Sequence, residues 1–238
     1  MISIVCDSTV YMTAKEAEQL GVNIVPVSYY TPEKSYDETY IEQNGEYETI
    51  ISRQNCKTNH TNIAVFLTAF KKLLSEGSEI LCITLSSRLS GTYSSAKVAA
   101  KEIGSDKIMV VDSLSTAGGM FILASMARKL IDENRSLIEV AMALEQARDK
   151  INIIFSVNDM KPLRKSGRLG IVRQSVGTIL NVRPIFKCIE GAVVSQGMAR
   201  GSSEQAEYLA SCVPLTASEV YIHYINNYKM TAIITKML

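Results

Sequence analysis

The stretch "TLSSRLSGTYSSA", Thr84–Ala96, follows the apolar run "EILCITL" and leads into the helical pattern "GTYSSAKVAAKEIG". An apolar run, a small-residue turn and a helix in that order are the signature of one strand–turn–helix unit of an α/β fold. The turn is dense in hydroxyls, with five serines and two threonines around Gly91. Its one charge is Arg88, which stays protonated and is no base. If Ile80–Leu85 is a parallel strand, Ser86–Gly91 lies at its carboxyl end, where open α/β sheets place their ligands. The N–H groups of a helix starting near Gly91–Thr92 favour an anionic group there, and Ser90 and Thr92 add neutral hydrogen bonds. Serines and threonines before a helix are also ordinary caps, so the turn by itself leaves both readings open.

The same rhythm extends in both directions. "ISIVC" reads as a buried strand followed by the turn "DST". "TAKEAEQLG" is a short helix capped by Thr13 and closed by Gly21. "VNIVPVSYY" reads as a second strand in which Pro26 marks an edge or bulge. Thr31–Glu46 is polar and reads as a long surface connection. "NIAVFLTAFKKLLSEG" is an amphipathic helix capped by Thr61 or Asn62 and ended by Gly77. Downstream come the strand "KIMVVDS" and the helices "GGMFILASMARKLIDEN" and "SLIEVAMALEQARDKI", the latter capped by Ser136. Strands and helices alternate to about residue 150, which predicts a parallel-sheet, three-layer α/β/α domain over 1–150.

The pattern then changes. "NIIFSV" is a strand, "DMKPLRKSG" and "IVRQSVGTIL" are helical, and "RPIFKCIEGAVVSQGMAR" is a hairpin turning at Glu190–Gly191. "SSEQAEYLASCV" is a helix, "SEVYIHYI" a strand and "YKMTAIITKML" a final helix. Residues 151–238 are expected to form a second, smaller α+β domain.

Bulk composition excludes several functions. Net charge is +1 over 238 residues, and 47% of the chain is hydrophobic, so nothing global points to nucleic acid or an anionic membrane. No apolar stretch is long enough to span a bilayer, and "MISIVCDST" has no secretory pattern. The five cysteines are widely spaced without C-x-x-C, and the two histidines form no H-x-x-x-H or H-E-x-x-H pattern. No metal site is expected, and a reducing, cytoplasmic compartment fits. The Walker pattern and G-x-G-x-x-G are absent, and Ser90 sits in "RLSGT", not G-x-S-x-G. Neither histidine has an evident acid partner that would make it a base for Ser90. A carboxylate held by hydroxyls and helix N–H groups fits the residue types best.

Five motifs occur in order: "IVCDST", "LSSRLSGTYSSA", "VVDSLSTAGG", "LRKSGRL" and "NVRPIFK". In these the chain, from Ile2 to about Tyr224, resembles the DegV family, bacterial fatty-acid-binding proteins that serve as the carrier subunit of fatty acid kinase. The resemblance implies two α/β domains with a long-chain fatty acid between them. It implies a non-catalytic carrier, without cofactor, that presents the lipid carboxylate to a separate kinase catalytic subunit for ATP-dependent acyl-phosphate formation. Carried over, the carboxylate site comprises Thr58 in "KTNHTN" and Ser90 in "RLSGT". Asn59, Gly91 and Thr92 assist. The family's T-S-x-P-like loop is altered here, with Asn59, His60 and Thr61 after Thr58; His60 is a candidate to meet the head group or sense pH, with an exposed loop histidine the more frequent case. A tail of roughly sixteen carbons at about 0.8 kcal/mol per buried CH₂ offers on the order of 12 kcal/mol before binding costs. "GGMFILASMA" and "IVRQSVGTIL" are candidate tunnel walls, although such stripes are as a rule core.

Between Met160 and Ile189 lie seven basic residues, among them Arg173, and no acidic one. Arg168 in "KSGRL" matches the stretch that in the family faces the kinase subunit, and Arg200 is a second docking candidate; a solvated basic face is the alternative. Nucleic-acid binding lacks aromatic interleaving, and no stable membrane insertion is expected. The family's H-x-G-P-G-like motif has no counterpart, so the second domain is expected to be shortened at its C-terminus and to lack one head-group ligand. Two other readings remain at this point: a Ser90-dependent acyl hydrolase or other small-anion enzyme, and a lipid-binding regulator without a kinase partner.

Overall fold

The computed structural model describes residues 1–43, 56–158, 160–169, 181–225 and 227–238. The chain divides into two units, Met1–Ile151 and Asn152–Leu238.

In the first unit, β1 (Ile2–Asp7), β2 (Val22–Val25), β6 (Glu79–Thr84) and β7 (Ile108–Asp112) form a parallel sheet in the order β2-β1-β6-β7. The strands read as unbroken apolar runs because both faces are covered. Alternate side chains go to opposite layers. Ile2, Ile4, Cys6, Leu81, Ile83 and Val111 join one core; Val5, Ile80, Cys82 and Ile108 join the other. The first core is closed by α1 (Ala14–Leu20), α4 (Ala117–Asp132) and α5 (Leu137–Arg148) through Ala17, Met120, Leu123, Val140 and Leu144. The second is closed by α2 (Ile63–Ser75) and α3 (Thr92–Ile103) through Phe66, Phe70, Ala96 and Ala99. This is the expected three-layer α/β/α arrangement. The apolar face of "GGMFILASMA", read as a candidate tunnel wall, is committed to the first core through Met120, Leu123 and Ala124.

Two expectations for the first unit need correction. "VNIVPVSYY" is not one strand. Pro26 has no N–H to donate, and the chain leaves the parallel sheet there, continuing as β3 (Val27–Tyr30) in a separate antiparallel sheet. The polar Thr31–Glu46 segment is also not merely a connection. Ser35–Glu38 forms β4, paired antiparallel with β3, and Lys57–Asn59 forms β5 on the other edge. Tyr29 and Tyr36 lie opposite each other with ring centroids 5.1 Å apart, a cross-strand pair that stabilises a sheet otherwise poor in apolar residues. The segment 41–43 returns to the first helix: the Ile41 amide donates to the Met12 carbonyl (3.1 Å), and the Ala14 amide to Glu42 Oε1 (3.0 Å).

In the second unit, β8 (Ile154–Ser156), β9 (Val182–Ile189) and β10 (Ala192–Arg200) form an antiparallel sheet ordered β10-β9-β8, accompanied by α6 (Met160–Lys165), α7 (Gly201–Ser211) and α8 (Tyr228–Met237). The β9–β10 turn falls at Glu190–Gly191, both at positive φ (47° and 78°), as a two-residue hairpin turn demands. Phe155 and Phe186 face each other at 5.3 Å. Gln205 Nε2 donates to Ser156 Oγ (2.7 Å), which donates to the Pro184 carbonyl (2.6 Å), tying α7 to β8 and β9. Tyr208 packs across Gly197, where a Cβ would stand 2.6 Å from its Oη.

"SEVYIHYI" forms no strand. Apolar content alone does not make one: a strand needs a ladder partner for its backbone groups, and among the described residues none pairs with this segment. Val220, Tyr221, Tyr224 and Ile225 are exposed. The expected helix and tunnel wall "IVRQSVGTIL" and the basic residue Arg173 lie outside the described residues. No described helix is long and apolar enough to cross a membrane.

Candidate functional site

The hydroxyl turn sits where the parallel sheet ends. Two carboxylates at the carboxyl ends of the flanking strands hold it. Asp7, the last residue of β1, accepts from the Leu85 amide (2.6 Å) and the Thr9 amide (3.1 Å). Asp112, the last residue of β7, accepts from the Ser87 amide (3.1 Å) and the Leu114 amide (3.0 Å). Within the turn, Ser86 accepts through its carbonyl from the Leu89 amide (3.0 Å) and the Ser90 amide (3.2 Å), and through Oγ from the Arg88 amide (3.2 Å). The Ser86 amide donates to the Ser115 carbonyl (2.9 Å). The Ser86 hydroxyl thus helps build the turn, and beyond β7 the buried Ser113 hydroxyl is likewise bonded to backbone, that of Ser115.

Ser90 and Thr92 lie at the start of α3, and Thr92 is fully buried. Their hydroxyls lie 3.0 Å from each other, and the Thr92 amide reaches Ser90 Oγ at 3.4 Å. Neither group is a base for the serine hydroxyl. Gly91, the N-cap of α3, supplies no side-chain cap. By contrast Thr13, Asn62 and Ser136 cap α1, α2 and α5 with their side chains. Of the two expected caps for α2, Asn62 makes the bond, to the Ala64 amide (2.6 Å). Thr61 serves a different purpose: its hydroxyl donates to the Pro26 carbonyl (2.9 Å), and its amide donates to Thr92 Oγ1 (3.4 Å). The segment following β5 is thereby fastened to the turn.

Thr58 and Asn59 belong to β5, opposite Tyr29 and Ser28 of β3, and are exposed. His60 lies against the turn itself. A Cβ on Gly91 would stand 3.4 Å from His60 Cγ and 3.6 Å from its Cδ2 and Nδ1. The fold therefore brings His60 and Thr61 to Ser90–Thr92, with Asn59 and Thr58 next along the strand. Arg168 and Arg200 are in the second unit, both exposed. The Arg168 amide donates to Ser166 Oγ (3.2 Å), and the Arg200 amide to Glu204 Oε2 (2.8 Å). Among the described residues no group of three or more His, Cys, Asp or Glu is arranged to hold a metal ion.

Sequence reasoning missed an acidic cluster near the turn. Asp7 is fully buried, and burial raises its carboxyl, opposed by the hydrogen bonds from Thr9 and Leu85. Glu38, the last residue of β4, is buried as well; desolvation and the Asp7 charge push it up to about 7, while a hydrogen bond from Tyr11 pulls it down. Asp7 was visible in "CDST" as a turn residue. Nothing local marked Glu38, which sits in a polar run.

The family model described as "Uncharacterised protein, DegV family" matches residues 1–238. A DegV domain-containing protein of Halalkalibacterium halodurans is 31% identical over 196 residues, 81% of this chain and 69% of that protein. Among solved structures, a DegV lipid-binding protein of Thermotoga maritima superposes with a TM-score of 0.87 at 24% identity, covering 99% of this chain and 86% of its own. A DegV family protein of Thermus thermophilus, described by its fatty acid binding, superposes with a TM-score of 0.78 at 28% identity, covering 88% and 75%.

Proposed function

The chain belongs to the DegV family, and on that premise we propose that it binds a long-chain fatty acid and carries it as a non-catalytic subunit for a separate kinase. The observation that carries the reading is the open start of α3. Its N-cap has no side-chain partner, and the hydroxyls of Ser90 and Thr92 stand 3.0 Å apart beside it. First-turn N–H groups lack intrahelical acceptors and favour a negative group. The fatty acid binding described for the Thermus thermophilus relative supplies the ligand class.

In this reading Ser90 and Thr92 donate to the carboxylate, Gly91 lets it approach the backbone, and Thr58 and Asn59 close in from β5. The tail supplies the affinity, and the polar groups fix the head. The Ser90 and Thr92 hydroxyls position a carboxylate that another protein phosphorylates, and Arg168 and Arg200 dock that partner.

Native mass spectrometry of the purified protein, followed by lipid identification, tests the binding. One fatty acid per chain, depleted in Ser90→Ala, is the expected result. A protein that neither carries nor takes up fatty acid refutes it, and turnover of an acyl ester lost in Ser90→Ala points to the hydrolase. Acyl-phosphate formation with a fatty acid kinase catalytic subunit and ATP tests the carrier role, and Arg168→Ala is expected to lower that rate while leaving lipid content unchanged.

A further inference from the structure

We propose that His60 sets the charge preference of the head-group site: its protonated imidazole draws an ionised carboxylate to Ser90 and Thr92, so binding tightens in mildly acidic solution. This rests on the fatty-acid reading above and adds a residue and a pH dependence to it.

Position carries the inference. The ring lies over Gly91, within 3.4–3.6 Å of where a Cβ would stand. Those are ordinary contact distances, so the imidazole packs beside Gly91 at the start of α3. The backbone on either side of His60 is held. Asn59 is in the β5 ladder opposite Ser28, and Thr61 is bonded to the Pro26 carbonyl and to Thr92 Oγ1. The ring is thus delivered to the turn by a braced segment. It is exposed, so protonation does not require burying a charge.

The acids on neighbouring elements are Asp7 of β1 and Asp37 and Glu38 of β4; Asp7 and Glu38 are buried, whereas the ring is exposed. Lys57 lies on the same strand, opposite Tyr30, and Arg88 lies in the turn. Asp37 of β4 accepts from Ser28 Oγ (2.7 Å). The first turns of α2 and α3 hold no acid, and Tyr93 of α3 is influenced by Asp112, Glu145 and Arg148. A bound carboxylate is then the anion that the imidazolium meets. Histidine is the side chain whose charge ordinarily changes between about pH 5 and 8. A fatty carboxylate is ionised over most of that range, so the groups that change charge there are the imidazole and Glu38, which is pushed up to about 7, and the His60 variant separates the two.

The test is isothermal titration with dodecanoic acid, and with dodecanol as an uncharged tail, at about pH 6 and about pH 8, on wild type and His60→Gln. Exposed ion pairs are worth up to about 1 kcal/mol, so dodecanoate is expected to bind the wild type about fivefold more tightly at the lower pH. His60→Gln is expected to bind it equally at both, and dodecanol to show no pH dependence in either protein. Matched thermal melts of the two proteins establish that the variant is folded. A variant that keeps the wild-type pH ratio overturns the role of His60 and leaves the lipid reading standing. A wild type that binds neither probe overturns the lipid reading, and this proposal falls with it.

Discussion

Two helices of the first unit begin in opposite ways. At the start of α5 the chain closes on itself. Ser136 Oγ accepts from the Glu139 amide (3.4 Å), and Glu139 Oε2 accepts from the Ser136 amide (2.9 Å). At the start of α3 the N-cap is Gly91, with no side chain to offer, and the nearby hydroxyls of Ser90 and Thr92 face each other. A closed start contributes about 1 kcal/mol to stability. An open start forgoes that contribution and leaves donors for a ligand. α4 is an intermediate case. Thr116 makes no side-chain cap, but Ser115 Oγ fills the space over Gly119, where a Cβ would stand 1.8 Å away. Lack of a cap alone does not make an open site: the buried Ser115 side chain occupies the space over Gly119, whereas beside Gly91 the exposed His60 ring stands at contact distance.

The largest expected effect comes from Glu38, the last residue of β4 in the sheet that carries β5. Folding raises Glu38 from 4.5 to about 7. Between those values the folded chain holds a proton that the unfolded chain has released, so stability falls as pH rises through that window. The total loss across the window is about 3 kcal/mol, and Glu38→Gln is expected to flatten this pH dependence in urea denaturation curves collected from about pH 5 to 8. Retention of the slope would assign it elsewhere, and loosening of β5 without loss of lipid affinity would separate the open start from its neighbouring strand.

Gly119→Ala tests whether the start of α4 is truly filled. Its Cβ would collide with the buried Ser115 side chain, so a loss of about 2 kcal/mol is expected, partly restored by adding Ser115→Ala. A neutral Gly119→Ala would make α4 as open as α3. Ser90→Ala is expected to weaken fatty acid binding by about tenfold with little change in melting temperature, because its hydroxyl partners are local. Ser136→Ala is expected to do the reverse: about 1 kcal/mol less stability and unchanged lipid affinity. If both serine variants lose stability equally and neither loses affinity, the distinction between closed and open starts has no functional content.

Much of the first unit is legible along the chain. The apolar runs at Ile2, Ile80 and Ile108 declare buried parallel strands, and Thr13, Gly21 and Ser136 mark helix ends through their own local bonding. The hairpin at Glu190–Gly191 is legible for the same reason, since two residues determine the turn. β4 is not: "SYDE" has one buried residue in four, so an edge strand of a small sheet lacks the alternation that announces strands. "SEVYIHYI" fails the other way, being strand-like in composition while no described strand pairs with it. Ser90, Gly91 and Thr92 stand out as a hydroxyl turn, and only the family resemblance nominates Thr58 for the same site.

The sequence by itself determined the α/β class, the strand–turn–helix unit at Thr84–Ala96, and a hydroxyl turn suited to an anion, because these follow from periodicity and from groups within a few residues of each other. Only the tertiary structure decided that Pro26 separates two sheets, that Thr61 ties β5 to Thr92, that His60 covers Gly91, and that Glu38 is buried within reach of the Asp7 charge. Those contacts join residues about 30 positions apart, and their geometry is settled by how sheets and helices close around the core rather than by any local preference.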